Sequence, residues 1–99
     1  MICNLVRYQA APEKLDEVIR LFKEQAIPLA SKQAGFKGTY LLTKPSGLFT
    51  ILNMWDTQEQ ANAWTENAEN REIVSRLMSL LQRQNRSRDS FEVSAQAVA

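Results

Sequence analysis

The stretch from Phe49 to Trp64, FTILNMWDTQEQANAW, limits the fold more than any other part of the chain, because an apolar strand ends in a tryptophan and turns at once into a helix. Leu48, Phe49, Ile51, Leu52, Met54 and Trp55 are apolar almost without a break, so this strand has little polar face and is expected to be covered on both sides. Thr57 and Gln60 then stand at capping-box spacing, in which the Thr57 hydroxyl accepts from the Gln60 amide and the Gln60 side chain returns to the free amide of Thr57. That spacing predicts a helix starting beyond Thr57.

The segment before this joint pairs with it. Phe36 to Thr43 has strand composition, with Phe36, Gly38, Tyr40 and Leu42 expected on one face and Lys37, Thr39, Leu41 and Thr43 on the other. Lys44-Pro45-Ser46-Gly47 links the two strands, since proline is pre-set for an early turn position and glycine is free to take positive φ. An antiparallel hairpin follows.

Met1 to Gln9 reads as a further strand in which Ile2, Asn4, Val6 and Tyr8 share a face. Asn4 is out of place there, because an amide among apolar neighbours needs either a hydrogen bond inside the fold or a ligand. Pro12 and Glu13 suit the first turn of a helix, where a missing amide proton costs nothing and a negative charge is favoured. Leu15, Val18, Ile19, Phe22 and Ala26 form one apolar stripe at helical spacing, and the charges between them read as a solvated face. Pro28 is expected to kink or break this helix, and Ala34-Gly35 to end it.

Beyond the opening joint, a helix is expected from Glu59 to Ala68, and Asn70 is placed to cap another that carries Ile73, Val74, Leu77, Met78, Leu80 and Leu81. Gln82 to Ser90 reads as a polar, solvated loop, although its arginines, Arg83, Arg86 and Arg88, could attract an anion; Phe91 to Val98 alternates and is predicted as the last strand. The order strand, helix, strand, strand, helix, strand predicts a single α+β domain over residues 1–99. Its architecture is a ferredoxin-like βαββαβ sandwich, with a four-stranded antiparallel sheet and both helical segments on one face. Strands one to three carry apolar residues on both parities, so the open sheet face is expected to meet a second copy, giving a homodimer paired as a dimeric α/β barrel.

Composition removes several classes of function. The chain has no histidine and one cysteine, Cys3, which excludes Cys/His metal sites, Ser-His or Cys-His nucleophile pairs and the usual haem ligand; no metal site is expected. Twelve Lys and Arg balance eleven Asp and Glu, so there is no broad basic face for nucleic acid. No apolar run approaches the roughly 20 residues needed to span a bilayer. With no signal-peptide pattern at the N-terminus, a cytoplasmic location is expected.

Taken together, the first strand, the Pro-opened helix with Phe22 and Pro28, the turn Ala34-Gly35-Phe36 followed by Gly38, the strand-ending Trp55 and the pair Asp56-Thr57 resemble the antibiotic biosynthesis monooxygenase family of dimeric α/β-barrel proteins. The resemblance covers essentially the whole chain. It implies the fold, whereas activities within such a superfamily range over oxidation of polyketide aromatics, action on quinols, haem degradation and no assigned activity. Trp64 stands nine residues after Trp55, where quinol-oxygenase-like members commonly hold histidine and haem-degrading members hold tryptophan. Asn4 resembles the asparagine of the haem-degrading group, but the position of that group's iron-ligating histidine is Val74 here, which argues against haem degradation.

The resemblance implies a cofactor-independent monooxygenase acting on a small aromatic phenol or quinol in a pocket between helices and sheet. In such chemistry the deprotonated substrate supplies the electrons, and the protein supplies a dry pocket and donors that steady developing charge. Asn4 and Trp64 are the candidate catalytic residues; Phe22, Tyr40, Asn53 and Trp55 are the candidate substrate-binding residues. Without histidine, the proton acceptor would be Tyr8, Tyr40, a carboxylate of raised pKa, or water acting on an acidic substrate. A non-catalytic dimeric module that binds a small ligand or a partner protein would use the same pocket, and the residues leave both readings open.

Overall fold

The first strand, β1 (Ile2–Ala10), lies inside the sheet, and the rest of the chain is hung on its two edges. The computed structural model describes residues 1–99, with side chains described for all but residues 83–86. On one edge of β1 lies β3 (Leu48–Trp55), followed outward by β2 (Phe36–Thr43); on the other lies β4 (Leu81–Glu92). All neighbours are antiparallel and the order β2-β3-β1-β4 is the ferredoxin-like one. Among the described residues, no helix is long and apolar enough to cross a membrane.

Local chemistry explains most joints. Gly47 takes φ +95, donates to the Lys44 carbonyl at 2.9 Å and accepts from the Ala10 amide at 2.9 Å, so the hairpin turn is also tied to the end of β1. A side chain at Gly47 would run into the Ala10 carbonyl. Thr57 caps α3 (Gln58–Glu66) through both halves of the capping box, each at 3.2 Å. The side chain of Gln60 also fills the space over Gly35, whose carbonyl accepts from the Asp56 amide at 2.8 Å. The joint at Trp55 is thereby pinned to the end of the first helical segment.

Four expectations need correction. The helical path does not break at Pro28: α1 (Leu15–Leu21) passes through a π-helical stretch, Phe22–Ala26, into α2 (Ile27–Ser31). The Ile27 amide bonds to the Phe22 carbonyl five residues back, so the turn ahead of the proline is widened instead of broken. Asn70 does not cap the last helix. Asn67 caps α4 (Ala68–Met78), accepting from the Asn70 amide at 2.9 Å, while the Asn70 side chain closes the end of α3 by donating to the Trp64 carbonyl at 3.0 Å.

The other two corrections concern the sheet. A bulge between Phe36 and Gly38 shifts the register of β2, so Phe36 and Thr39 face the same way, opposite Trp55 and Asn53, and Gly38 and Tyr40 face the other. The last strand spans residues 81–92 and not 91–98, with Val6 opposite Arg88 and Ile2 opposite Glu92; the helix before it ends at Met78, so Leu80 lies beyond that helix and Leu81 opens the strand. An edge strand takes its stability from ladder bonds to β1 and needs little apolar content, which is why a polar run occupies it. Arg83 and Arg86 have side chains outside the described residues; Arg88 does not.

The helices lie on one face of the sheet, and the core beneath them falls into two clusters. One gathers Val6, Tyr8, Val18, Phe49 and Leu77, with Tyr8 and Phe49 stacked at 5.2 Å; the other gathers Ala30, Trp55, Ala61 and Trp64. Among the described residues, the opposite sheet face has no helix. Tyr40, Leu42 and Phe91 stand there more than half exposed, beside the half-buried Leu52 and Met54. Cys3 shares this face, and burial pushes its thiol above the ordinary value, so it behaves as a small apolar side chain.

Candidate functional site

A row of polar side chains crosses the helix-facing side of the sheet where a core would be expected. Register places Thr39 opposite Asn53, Asn53 opposite Asn4, and Asn4 opposite Ser90, one residue from each strand. The neighbouring row is Leu41, Ile51, Val6 and Arg88, and the row on the other side is headed by Phe36, Trp55 and Ile2. Buried amides between apolar rows are costly unless something pairs with them.

Above this row lies a cavity of about 80 Å³ that borders both core clusters. Asn4, Asn53 and Thr39 line its sheet side together with Tyr8 and Ile51. Phe22 and Ala26 reach it from the π-helical stretch, Trp64 and Thr65 from α3, and Ile73, Val74 and Leu77 from α4. A widened π turn at the wall of a cavity is a common place for a ligand site. The volume is about half of the roughly 150 Å³ that encloses a benzene ring in a dry engineered cavity, so even one aromatic ring requires the walls to yield.

The polar groups differ in how far they are satisfied. The Thr39 hydroxyl donates to Asn53 Oδ1 at 2.6 Å, which leaves the Asn53 amide nitrogen as a donor to whatever enters. Asn4 is 9% exposed, and among the described residues its side chain has no hydrogen-bond partner. Of the two outcomes that the sequence allows for Asn4, an internal partner or a ligand, the first is not realised among those residues. Trp64 is held from behind: its ring lies 5.7 Å from that of Trp55 and its carbonyl receives the Asn70 amide. Phe36 packs edge-on against Trp55 at 5.6 Å. The Trp55 Nε1 atom is buried without a partner among the described residues.

Of the residues singled out from sequence, the fold brings Asn4, Asn53, Phe22 and Trp64 together at the cavity. Trp55 is completely buried and backs Trp64 without lining the cavity. Tyr40 lies on the opposite sheet face because of the bulge at Gly38. Thr39, Asn70 and Arg88 were not singled out. The bulge hid the first, Asn70 reads as a cap, and Arg88 falls in a run without apolar alternation. Val74 does line the cavity and presents an isopropyl group there. Among the described residues, no three His, Cys, Asp or Glu side chains gather as a metal site needs, and none of the residues lining the cavity is a carboxylate.

Comparison with known proteins gives consistent findings. The family model for antibiotic biosynthesis monooxygenase matches residues 1–76. No curated protein matches the sequence. Among solved structures, a conserved protein from Methanosarcina mazei Go1 is 20% identical with a TM-score of 0.80, covering 91% of this chain and 89% of its own. A structure described as an antibiotic biosynthesis monooxygenase is 14% identical with a TM-score of 0.80, over 96% of this chain and 100% of that one. SnoaB, a cofactor-independent oxygenase from Streptomyces nogalater, is 14% identical with a TM-score of 0.76, over 96% and 94%. At such identities the likeness to these structures is one of fold.

Proposed function

The chain belongs to the antibiotic biosynthesis monooxygenase family, and from that premise we propose that it is a cofactor-independent monooxygenase acting on a small, single-ring phenol or quinol bound in the cavity above Asn4. The observation that carries this reading is the Asn4 side chain, nearly buried at the wall that the apolar cavity shares with a polar groove and without a hydrogen-bond partner among the described residues. In the reaction, the phenolate transfers electrons to oxygen, one oxygen atom replaces a ring C–H as a carbonyl, and the other leaves as water. The substrate supplies every electron. Asn4 and the Asn53 amide donate hydrogen bonds to the oxygen on which negative charge resides, and a preorganised donor in a dry site is worth far more than one in water. Phe22, Trp64 and Val74 exclude water.

No carboxylate lines the cavity among the described residues, so a substrate that ionises readily is favoured over one that needs a strong base. That same observation favours the second reading, a non-catalytic module that binds a small aromatic ligand. Oxygen uptake with catechols and hydroquinones separates the two. Turnover above the buffer blank that falls in Asn4→Ala and Trp64→Phe is the expected result. Binding without uptake supports the module, and equal uptake in both variants removes these residues from the site.

The working unit of this proposal is a homodimer closed over the outer sheet face. Tyr40, Leu42 and Phe91 are large apolar side chains left in water on that face, which is where a second copy would bury them. Light scattering at micromolar concentration is expected to give about twice the 11.3 kDa chain mass.

A further inference from the structure

The cavity opens onto a second, chemically different depression. A groove of about 230 Å³ lies against it, and Asn4, Thr65 and Arg88 belong to the walls of both. The cavity side is dominated by Phe22, Trp64, Val74 and Leu77, whereas the groove adds Gln58, Asn62, Glu66 and Ser90. Among the described residues, Arg88 is the single positive charge on either wall. It stands opposite Val6 on the helix-facing side of β4, so the strand register aims it at the mouth instead of the outer face.

The guanidinium is lightly committed. Its contact with Thr65 Oγ1 is 3.4 Å, near the outer limit for a hydrogen bond, and among the described residues it has no ion-pair partner. An arginine of this kind at the junction of an apolar and a polar compartment matches a carboxylate, which it can hold by two parallel hydrogen bonds. Glu66 on the groove wall disfavours a second anionic group there, and Gln58 and Asn62 favour neutral hydrogen-bonding groups.

We infer that the site is built for an aromatic ring bearing one carboxylate: the hydroxylated ring enters the cavity beside Asn4, and the carboxylate stays at the mouth on Arg88. Arg88 is then a specificity-determining residue, and it lies beyond residues 1–76, where the family model matches. The inference rests on the cavity being the ligand site proposed above and makes no use of catalysis.

The test is a tryptophan-fluorescence titration without oxygen, using 2,5-dihydroxybenzoate and its neutral isostere 2,5-dihydroxybenzamide. The wild-type chain should bind the benzoate about fivefold more tightly, the size of a well-formed but solvent-accessible ion pair. Arg88→Gln should remove the preference and leave affinity for the amide unchanged, Arg88→Lys should keep part of it, and added salt should shrink it. Arg88 is exposed, so neither substitution threatens the fold. Equal binding of the two probes, a preference that survives in Arg88→Gln, or no binding of either probe at millimolar concentration would overturn the inference. Oxygen uptake keeps the two proposals apart: a preference for the benzoate without turnover removes the oxygenase and leaves Arg88 its role, whereas turnover of neutral quinols without any preference does the reverse.

Discussion

The two faces of the sheet invert the usual distribution in opposite ways. The face under the helices carries Thr39, Asn53, Asn4 and Ser90 in a row across all four strands, whereas the bare face carries Tyr40, Leu42 and Phe91 in water. A buried polar group and an exposed apolar patch are the two informative departures in a folded chain, since scattered exposed apolar residues need no explanation. Here each departure is assigned a missing partner of matching chemistry. The proposed function gives the amides a polar, flat ligand and the apolar patch a second copy.

The contrast breaks first at the tryptophans. Trp55 is fully buried between Phe36 and Trp64, so Trp55→Ala should cost about 3–5 kcal/mol in urea unfolding, as large-to-small changes in a packed core do. Outer-face truncation should not behave this way. Tyr40→Ala should cost the folded monomer less than about 0.5 kcal/mol, as surface changes do, and a loss of core size there would mean that the outer face is not open in the monomer.

Next in size is assembly. Leu42→Lys combined with Phe91→Lys puts charge into the proposed interface and should weaken the dimer more than about tenfold, read by light scattering across a dilution series. An unchanged dimer would place the second copy elsewhere. A smaller effect on binding concerns the amide row itself. Thr39→Val removes the hydroxyl that fixes Asn53, and should cost about 1 kcal/mol of stability while weakening ligand binding a few-fold.

Most features carried by local chemistry were legible in the sequence, the cap at Asn67 being an exception, and features carried by register were not. Thr57 and Gln60 announce the capping box, and Lys44 to Gly47 announces the hairpin, because each is decided within a few residues. The bulge at Gly38 is silent, since β2 reads as an unbroken alternation whether or not a residue is inserted, yet it sends Phe36 to the core and Tyr40 to the open face. Pro28 was readable as a disturbance, but its resolution as a π turn at Phe22–Ala26 depends on what the helix packs against. The fourth strand was misplaced because Phe91 to Val98 alternates well and Gln82 to Ser90 does not, although the latter pairs with β1. Asn4 stood out from its own strand alone. That Asn53, Thr39 and Ser90 stand level with it is a property of three pairings that no single stretch contains.

Asn4→Val tests the central claim most directly, with stability and ligand response measured on the same preparation. An amide kept for a ligand contributes nothing to the empty fold, so the variant should be as stable as the wild type or up to about 1 kcal/mol more stable, while binding and oxygen uptake fall at least about tenfold. A loss of stability greater than about 1 kcal/mol with binding and uptake unchanged would make Asn4 a structural amide, and the cavity above it would no longer be the functional site.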